Sequence, residues 1–154
     1  MVDIDLPSQV WEPWIEPGQP KKLRRALAVS ERAALEARRD ELAPWVGGYH
    51  AAELDDVSLA LIDMFTGFPS MAATGAEAGA AKIDAVARLL SEFPAWSIIL
   101  VCDHIRTHGY VRDGKNERHW PPSDPELFGM VKEKIRHYVT AHDTAVALLK
   151  AKVA

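Results

Sequence analysis

His104 and His108 stand four residues apart, with Asp103 beside the first and His119 a short loop further on. On a helix this spacing puts both imidazoles on one face, and zinc accepts ligands of this kind. In His104-Ile105-Arg106-Thr107-His108 no Glu follows the first His, so the general base of a zinc protease is missing and the catalytic version fails. Histidines near a helix C-terminus are more simply explained by its carbonyls and dipole, and no metal or cofactor is expected. His137 and His142 are five apart and diverge around their helix. Cys102 is embedded in an apolar helical run, which raises a thiol pKa, and there is no Gly-x-Ser-x-Gly elbow. Gly75 and Gly79 lie in an Ala-rich helix and build no phosphate loop. Asp55, Asp56 and Asp63 are accounted for by helix-start charge and a solvated face, and nothing pairs them with a base. These residues predict a protein that is not an enzyme.

A second kind of chemistry lies in the segment that follows His108. Arg106, Arg112, Lys115 and Arg118 outnumber Asp113 and Glu117 there, and Tyr110, His119 and Trp120 are interleaved with them. Cations beside aromatic rings hold phosphates and stack bases in proteins that bind single strands. Arg106, Tyr110, Arg112, Lys115 and Arg118 are therefore the candidate nucleic-acid-binding residues. Within the set Tyr110 is expected to stack on a base, while Trp120, just before Pro121, is expected to seat the next helix. A mobile loop kept soluble by its charge is the plainer account of the same residues. Trp11 and Trp14, set among Pro7, Pro13, Pro17 and Pro20, are candidate partner-binding residues on an extended tail.

The elements that would position these residues are helical. Ser30 is a candidate N-cap for a helix carrying Leu35 and Leu42, which Pro44 should end. After Gly47-Gly48, Leu54, Val57, Leu61, Met64, Phe65 and Phe68 recur at threes and fours as a core stripe. Thr74 and Glu77 form a candidate capping box for a helix carrying Ile83, Val86, Leu89 and Leu90. Its small residues, 72–81, permit close helix packing. Pro94 opens the next helix, with Trp96, Ile99 and Ile105 at helical spacing. Ser123 and Glu126 make a second capping box, starting a last helix whose residues 128–149 carry a near-heptad apolar seam. No alternation of period two is long enough for a strand. The fold class is all-α: a compact bundle of about five helices over residues 23–154, behind an extended Pro- and Trp-containing tail at 1–22.

Composition sets the outer bounds. At 154 residues and 48% hydrophobic content the chain can bury a sizeable core as one domain. A formal charge of −4 excludes a protein that coats nucleic acid through overall charge. With one cysteine no internal disulfide can form, which favours a reducing, cytoplasmic setting. No apolar run reaches the roughly 18–20 residues of a membrane span, and the first residues lack the basic start of a secretory signal, so a soluble, unprocessed chain is expected.

The order Leu89-Leu90-Ser91-Glu92-Phe93-Pro94-Ala95-Trp96, then Ile98 to Ile105 with Arg106, then a basic loop and Trp120-Pro121-Pro122-Ser123 with Glu126-Leu127, resembles small phage and prophage replication proteins of the helicase-loader or replisome-organiser kind. Leu61-Ile62, Phe65 and Phe68-Pro69 resemble the first helix of the same arrangement. The resemblance covers about residues 54–149. It implies a non-enzymatic adaptor that holds a hexameric replicative helicase and helps deliver it to origin DNA; single-stranded DNA is the further partner that the basic loop suggests. The rival expectation is a helical structural protein of phage or prophage origin that self-associates into a homo-oligomer through the 128–149 seam.

Overall fold

The structure is a computed structural model that describes residues 22–23 and 26–153; the segment carrying Trp11 and Trp14 lies outside them. Among the described residues the fold is all-α, with six α-helices: α1 (Val29–Val46), α2 (Leu54–Thr66), α3 (Pro69–Ala72), α4 (Ala76–Leu89), α5 (Ala95–His108) and α6 (Asp124–Lys150). The helix beyond the expected five is α3, a single turn opened by Pro69 at its first position. Two small sheets accompany them. β1 (Lys22–Leu23) pairs in parallel with β4 (Lys152–Val153), and β2 (Tyr110–Arg112) pairs antiparallel with β3 (Lys115–Glu117).

Packing groups the chain into two compact units, one made of residues up to 46 with those from 137 on, the other of residues 47–136. The single-domain expectation over residues 23–154 does not contain this division. Helix α6 has 27 residues, about 40 Å at 1.5 Å per residue, and supplies its first half to one unit and its second half to the other.

In the first unit Leu35 meets Ala145 and Leu148, with Leu27, Leu149 and Ala151 against them. Leu35, Arg38 and Leu42 are buried at i, i+3 and i+7 of α1. Helix α1 begins at Val29 and not behind Ser30, because Glu31 reaches back to accept the Ala28 N–H at 3.3 Å. Nor does Pro44 end it; the helix continues to Val46. In a last turn a proline removes one hydrogen bond, and Trp45 stacks on Tyr138 with centroids 6.2 Å apart, holding that turn in place.

In the second unit α2 packs on α5 and on α4. Its buried face is Val57, Leu61, Met64 and Phe65, as the stripe predicts. Val86, Ala87 and Leu90 face inward from α4 and its end, and Leu127, Val131 and Ile135 are buried on α6. Three expectations shift. Leu54, the first residue of the predicted stripe, and Leu89 are 40% and 41% exposed. On α5 the buried stripe is Ala95, Ile98, Val101, Cys102 and Ile105, which leaves Trp96 and Ile99 half-buried. Helix α4 starts after Gly75 with no side-chain cap, so the Thr74–Glu77 box does not form. The entry to the unit is fixed by close approach: a Cβ at Gly48 would collide with the Ser91 carbonyl oxygen. The next residue, Tyr49, donates its N–H to Phe93 O at 2.9 Å and its hydroxyl to Ala87 O at 2.5 Å.

Leu61 and Leu89 test this register. Leu61→Ala should cost about 2–5 kcal/mol in a chemical-denaturation experiment, because it empties a closed site. Leu89→Ala should stay within about 0.5 kcal/mol of wild type.

Candidate functional site

The segment joining α5 to α6 is built, not loose. Asp113 (φ 52°) and Gly114 (φ 76°) both adopt positive φ, the two-residue turn that suits a twisted hairpin. Residues 110–117 are therefore a β-hairpin where the sequence suggests a charged loop. Alternation along it turns Tyr110 and Arg112 to one face and Val111 to the other, and Val111 is 69% exposed.

The inward face is locked to the start of α6. Tyr110 is 6% exposed, stands edge-on to Phe68 at 6.1 Å and donates its hydroxyl to Trp120 O at 2.8 Å. The Arg112 guanidinium lies 5.5 Å from the Tyr110 ring centre and donates to both oxygens of Glu126, at 2.5 and 3.2 Å, and to Pro121 O at 3.4 Å. Glu126 also accepts the Ser123 N–H at 3.0 Å, while Ser123 Oγ accepts the Glu126 N–H at 3.3 Å. The capping box read from the sequence is thus present, and an arginine from the hairpin is clamped onto it. Glu117 Oε1 accepts the N–H groups of His119 (2.9 Å) and Trp120 (3.0 Å), which turns the chain toward Pro121.

These contacts set the local electrostatics. Arg112 and the Ser123 N–H stabilise the carboxylate of Glu126 and hold its pKa down to about 2 from a usual 4.5. The Trp120 and His119 N–H groups likewise keep Glu117 below the ordinary carboxylate range. Burial raises the Tyr110 hydroxyl above its usual value.

The candidate nucleic-acid residues do not form one surface. Tyr110 is enclosed and cannot offer a ring face to a base, and Arg112 is committed to Glu126. Arg106, on α5, is paired with Asp103 at 2.7 Å. With the Asn116 amide turned to satisfy both its groups, its oxygen accepts from Arg118 at 3.2 Å and its nitrogen donates to Tyr110 O at 3.1 Å. Lys115 is exposed on β3. Trp120 is 56% exposed and stands edge-on to His119 at 5.0 Å, so the roles expected of the two aromatics are exchanged. Tyr110 seats the helix and Trp120 faces solvent.

His104 and His108 do share a helix face; their rings stack 4.8 Å apart and both are exposed. Among the described residues no three His, Cys, Asp or Glu side chains are gathered as a metal site. Burial pushes the Cys102 thiol up to about 12, far from the range of a nucleophilic cysteine.

A feature the sequence reading did not single out lies between α2 and α4: an open cleft of about 630 Å³ with a mostly apolar lining. Phe65 forms its floor, Ile62 is 43% exposed on the α2 wall, and Gly75, Ala76, Gly79 and Ala80 form the α4 wall. Ser58, Thr66, Thr74 and Asp84 supply its polar atoms. Clefts of this volume, apolar with a few polar groups, are the usual form of a binding site. Its signal in the sequence was Gly79, a glycine inside a helix with no turn to make, opposite an isoleucine off the core stripe. Compared with known proteins, the chain matches no family model, no curated protein and no solved structure.

Two outcomes follow for the arm. Tyr110→Ala should destabilise by about 3–5 kcal/mol, the cost of emptying a buried aromatic site, whereas Trp120→Ala should change stability by less than about 1 kcal/mol; thermal and urea melts of both variants distinguish them. Glu126 gives the pH dependence. Its pKa is lowered in the folded state, so its contribution is fully present above about 4.5 and is lost as pH falls toward about 2. The side chain is 31% exposed, so solvent screens part of that contribution. The gap in Tm between wild type and Glu126→Gln should be largest near neutrality, narrow through that window, and shrink with added salt.

Proposed function

We propose that this protein is a non-enzymatic adaptor that works by holding another protein, and that its partner is a replicative helicase of the kind implied by the resemblance of residues 54–149 to phage helicase loaders and replisome organisers. The observation that carries the adaptor reading is the α2–α4 cleft, whose apolar surface, Ile62 included, is left open by the described residues. Exposed apolar area concentrated in a concave site is the usual mark of a surface that another molecule covers. The clamped hairpin supports the same reading, because a rigid frame lowers the ordering cost of binding.

The rival reading has less to draw on. Val131, Ile135 and Ala145 of the 128–149 seam are buried within the chain, leaving little apolar seam for a second copy. Among the described residues no helix is long and apolar enough to cross a membrane. Contact with single-stranded DNA falls to Lys115, Arg118 and Trp120, since Arg106 and Arg112 carry carboxylate partners. Two cations predict a weak, salt-sensitive interaction with a log–log slope of about −1.4.

The test is direct binding of the full chain to a purified hexameric replicative helicase, measured by surface plasmon resonance. Micromolar or tighter binding is expected, weakened at least tenfold by Ile62→Gln with Tm unchanged. No measurable binding of the wild-type chain would overturn the helicase assignment.

A further inference from the structure

The walls of the cleft specify the kind of element it takes. The lining runs from Ser58 to Thr66 on α2 and from Ala76 to Asp84 on α4, so each wall is about 13 Å long, the span of some two and a half helical turns. On the α4 wall a Cβ built at Gly75 or Gly79 would meet nothing within 4 Å. Among the described residues these glycines serve no packing. Gly79, inside the helix, weakens it relative to alanine, and what it provides is room for another backbone at a short interaxial distance.

The rim carries a sign. Asp84 lines the cleft. Asp55 lies three and seven residues before the lining residues Ser58 and Ile62, and Glu77 three and seven before Ala80 and Asp84, which places both on the cleft faces of their helices. Neither Asp55 nor Glu77 has an ion pair among the described residues. α2 contains no basic residue. The two on α4 are engaged: Lys82 is held over the Phe65 ring at 5.6 Å and near Asp124 at 3.8 Å, and Arg88 pairs with Asp84 at 2.8 Å.

Resting on the adaptor reading, we infer that the cleft binds a basic amphipathic α-helix of the partner, its apolar face on Phe65 and Ile62 and its flanking Lys or Arg residues against Asp55 and Glu77. The chain's own segment 1–21 has the wrong sign for this place, with Asp3, Asp5, Glu12 and Glu16 against Lys21. An apolar face seated in a groove between two helices is an established mode of helix recognition. Opposite charge at the rim selects among such helices.

The experiment uses the full chain and a fluorescein-labelled, end-capped 18-residue peptide of Leu, Ala and Lys, patterned with Leu on one helical face and Lys on its flanks. Its counterpart carries Glu at every Lys position. Fluorescence anisotropy at physiological salt should show the Lys peptide binding at least tenfold more tightly than the Glu peptide. Gly79→Leu should weaken the Lys peptide at least tenfold while Tm stays equal or rises, since leucine favours a helix over glycine and nothing within reach obstructs it. Ile62→Gln, at an exposed site, should weaken it comparably. The double variant Asp55→Lys, Glu77→Lys should remove the preference between the peptides. Equal affinity for both peptides, or binding that neither Gly79→Leu nor Ile62→Gln alters, would overturn the inference. Helicase binding that excess Lys peptide does not displace would also overturn it and leave the adaptor reading standing. Peptide binding of the expected pattern with no helicase binding would support it and remove only the helicase assignment.

Discussion

The arm of this protein depends on one half-buried contact, the fork of Arg112 on Glu126. Glu126 already has a local task, accepting the Ser123 N–H so that the first turn of α6 is capped. Arg112 arrives from a different element and occupies the remaining acceptor positions of the same carboxylate. A carboxylate shared in this way makes the start of a helix and the orientation of a hairpin one decision. Tyr110 then has a fixed place for its hydroxyl on Trp120 O, and the Trp120 ring is directed outward as a result. Of the four candidate cations, Arg106 and Arg112 are paired with carboxylates. Only Lys115 and Arg118 lack a carboxylate partner among the described residues.

Much of the helical frame was legible because its signals are local. The Ser123–Glu126 box and the α2 stripe involve residues three or four apart, and both form as spacing predicts. Where the reading failed, a distant partner decided. Trp96, Ile99 and Ile105 mark a helix, but the buried face of α5 is centred on Ile98, Val101 and Cys102. Thr74 offered a cap, yet the chain passes into α4 through Gly75 without using it. The hairpin was missed for a different reason. Its strands have three residues each, too short for an alternation to register, although Asp113-Gly114 is a strong local hairpin signal.

The cleft was the least legible feature. An opening is defined by what does not fill it, and Gly75, Gly79 and Ile62 acquire meaning only once α2 and α4 are seen side by side. From sequence the same small residues suggested close packing between helices of this chain. The structure leaves that face open, so the small residues are available to an outside helix.

The division of α6 between two units has a consequence for the order in which the molecule can be made. The unit of residues 47–136 is continuous, so its internal contacts are all made within one stretch of chain. The other unit is discontinuous: Leu35 on α1 packs with Ala145 and Leu148 from the far end of the chain. Helix α1 is synthesised before that unit and completed after it, and its apolar face, too short a stripe to hold a helix by itself, waits through the synthesis of the intervening unit. The second half of α6 is therefore the piece that turns an earlier, unpaired helix into part of a folded unit.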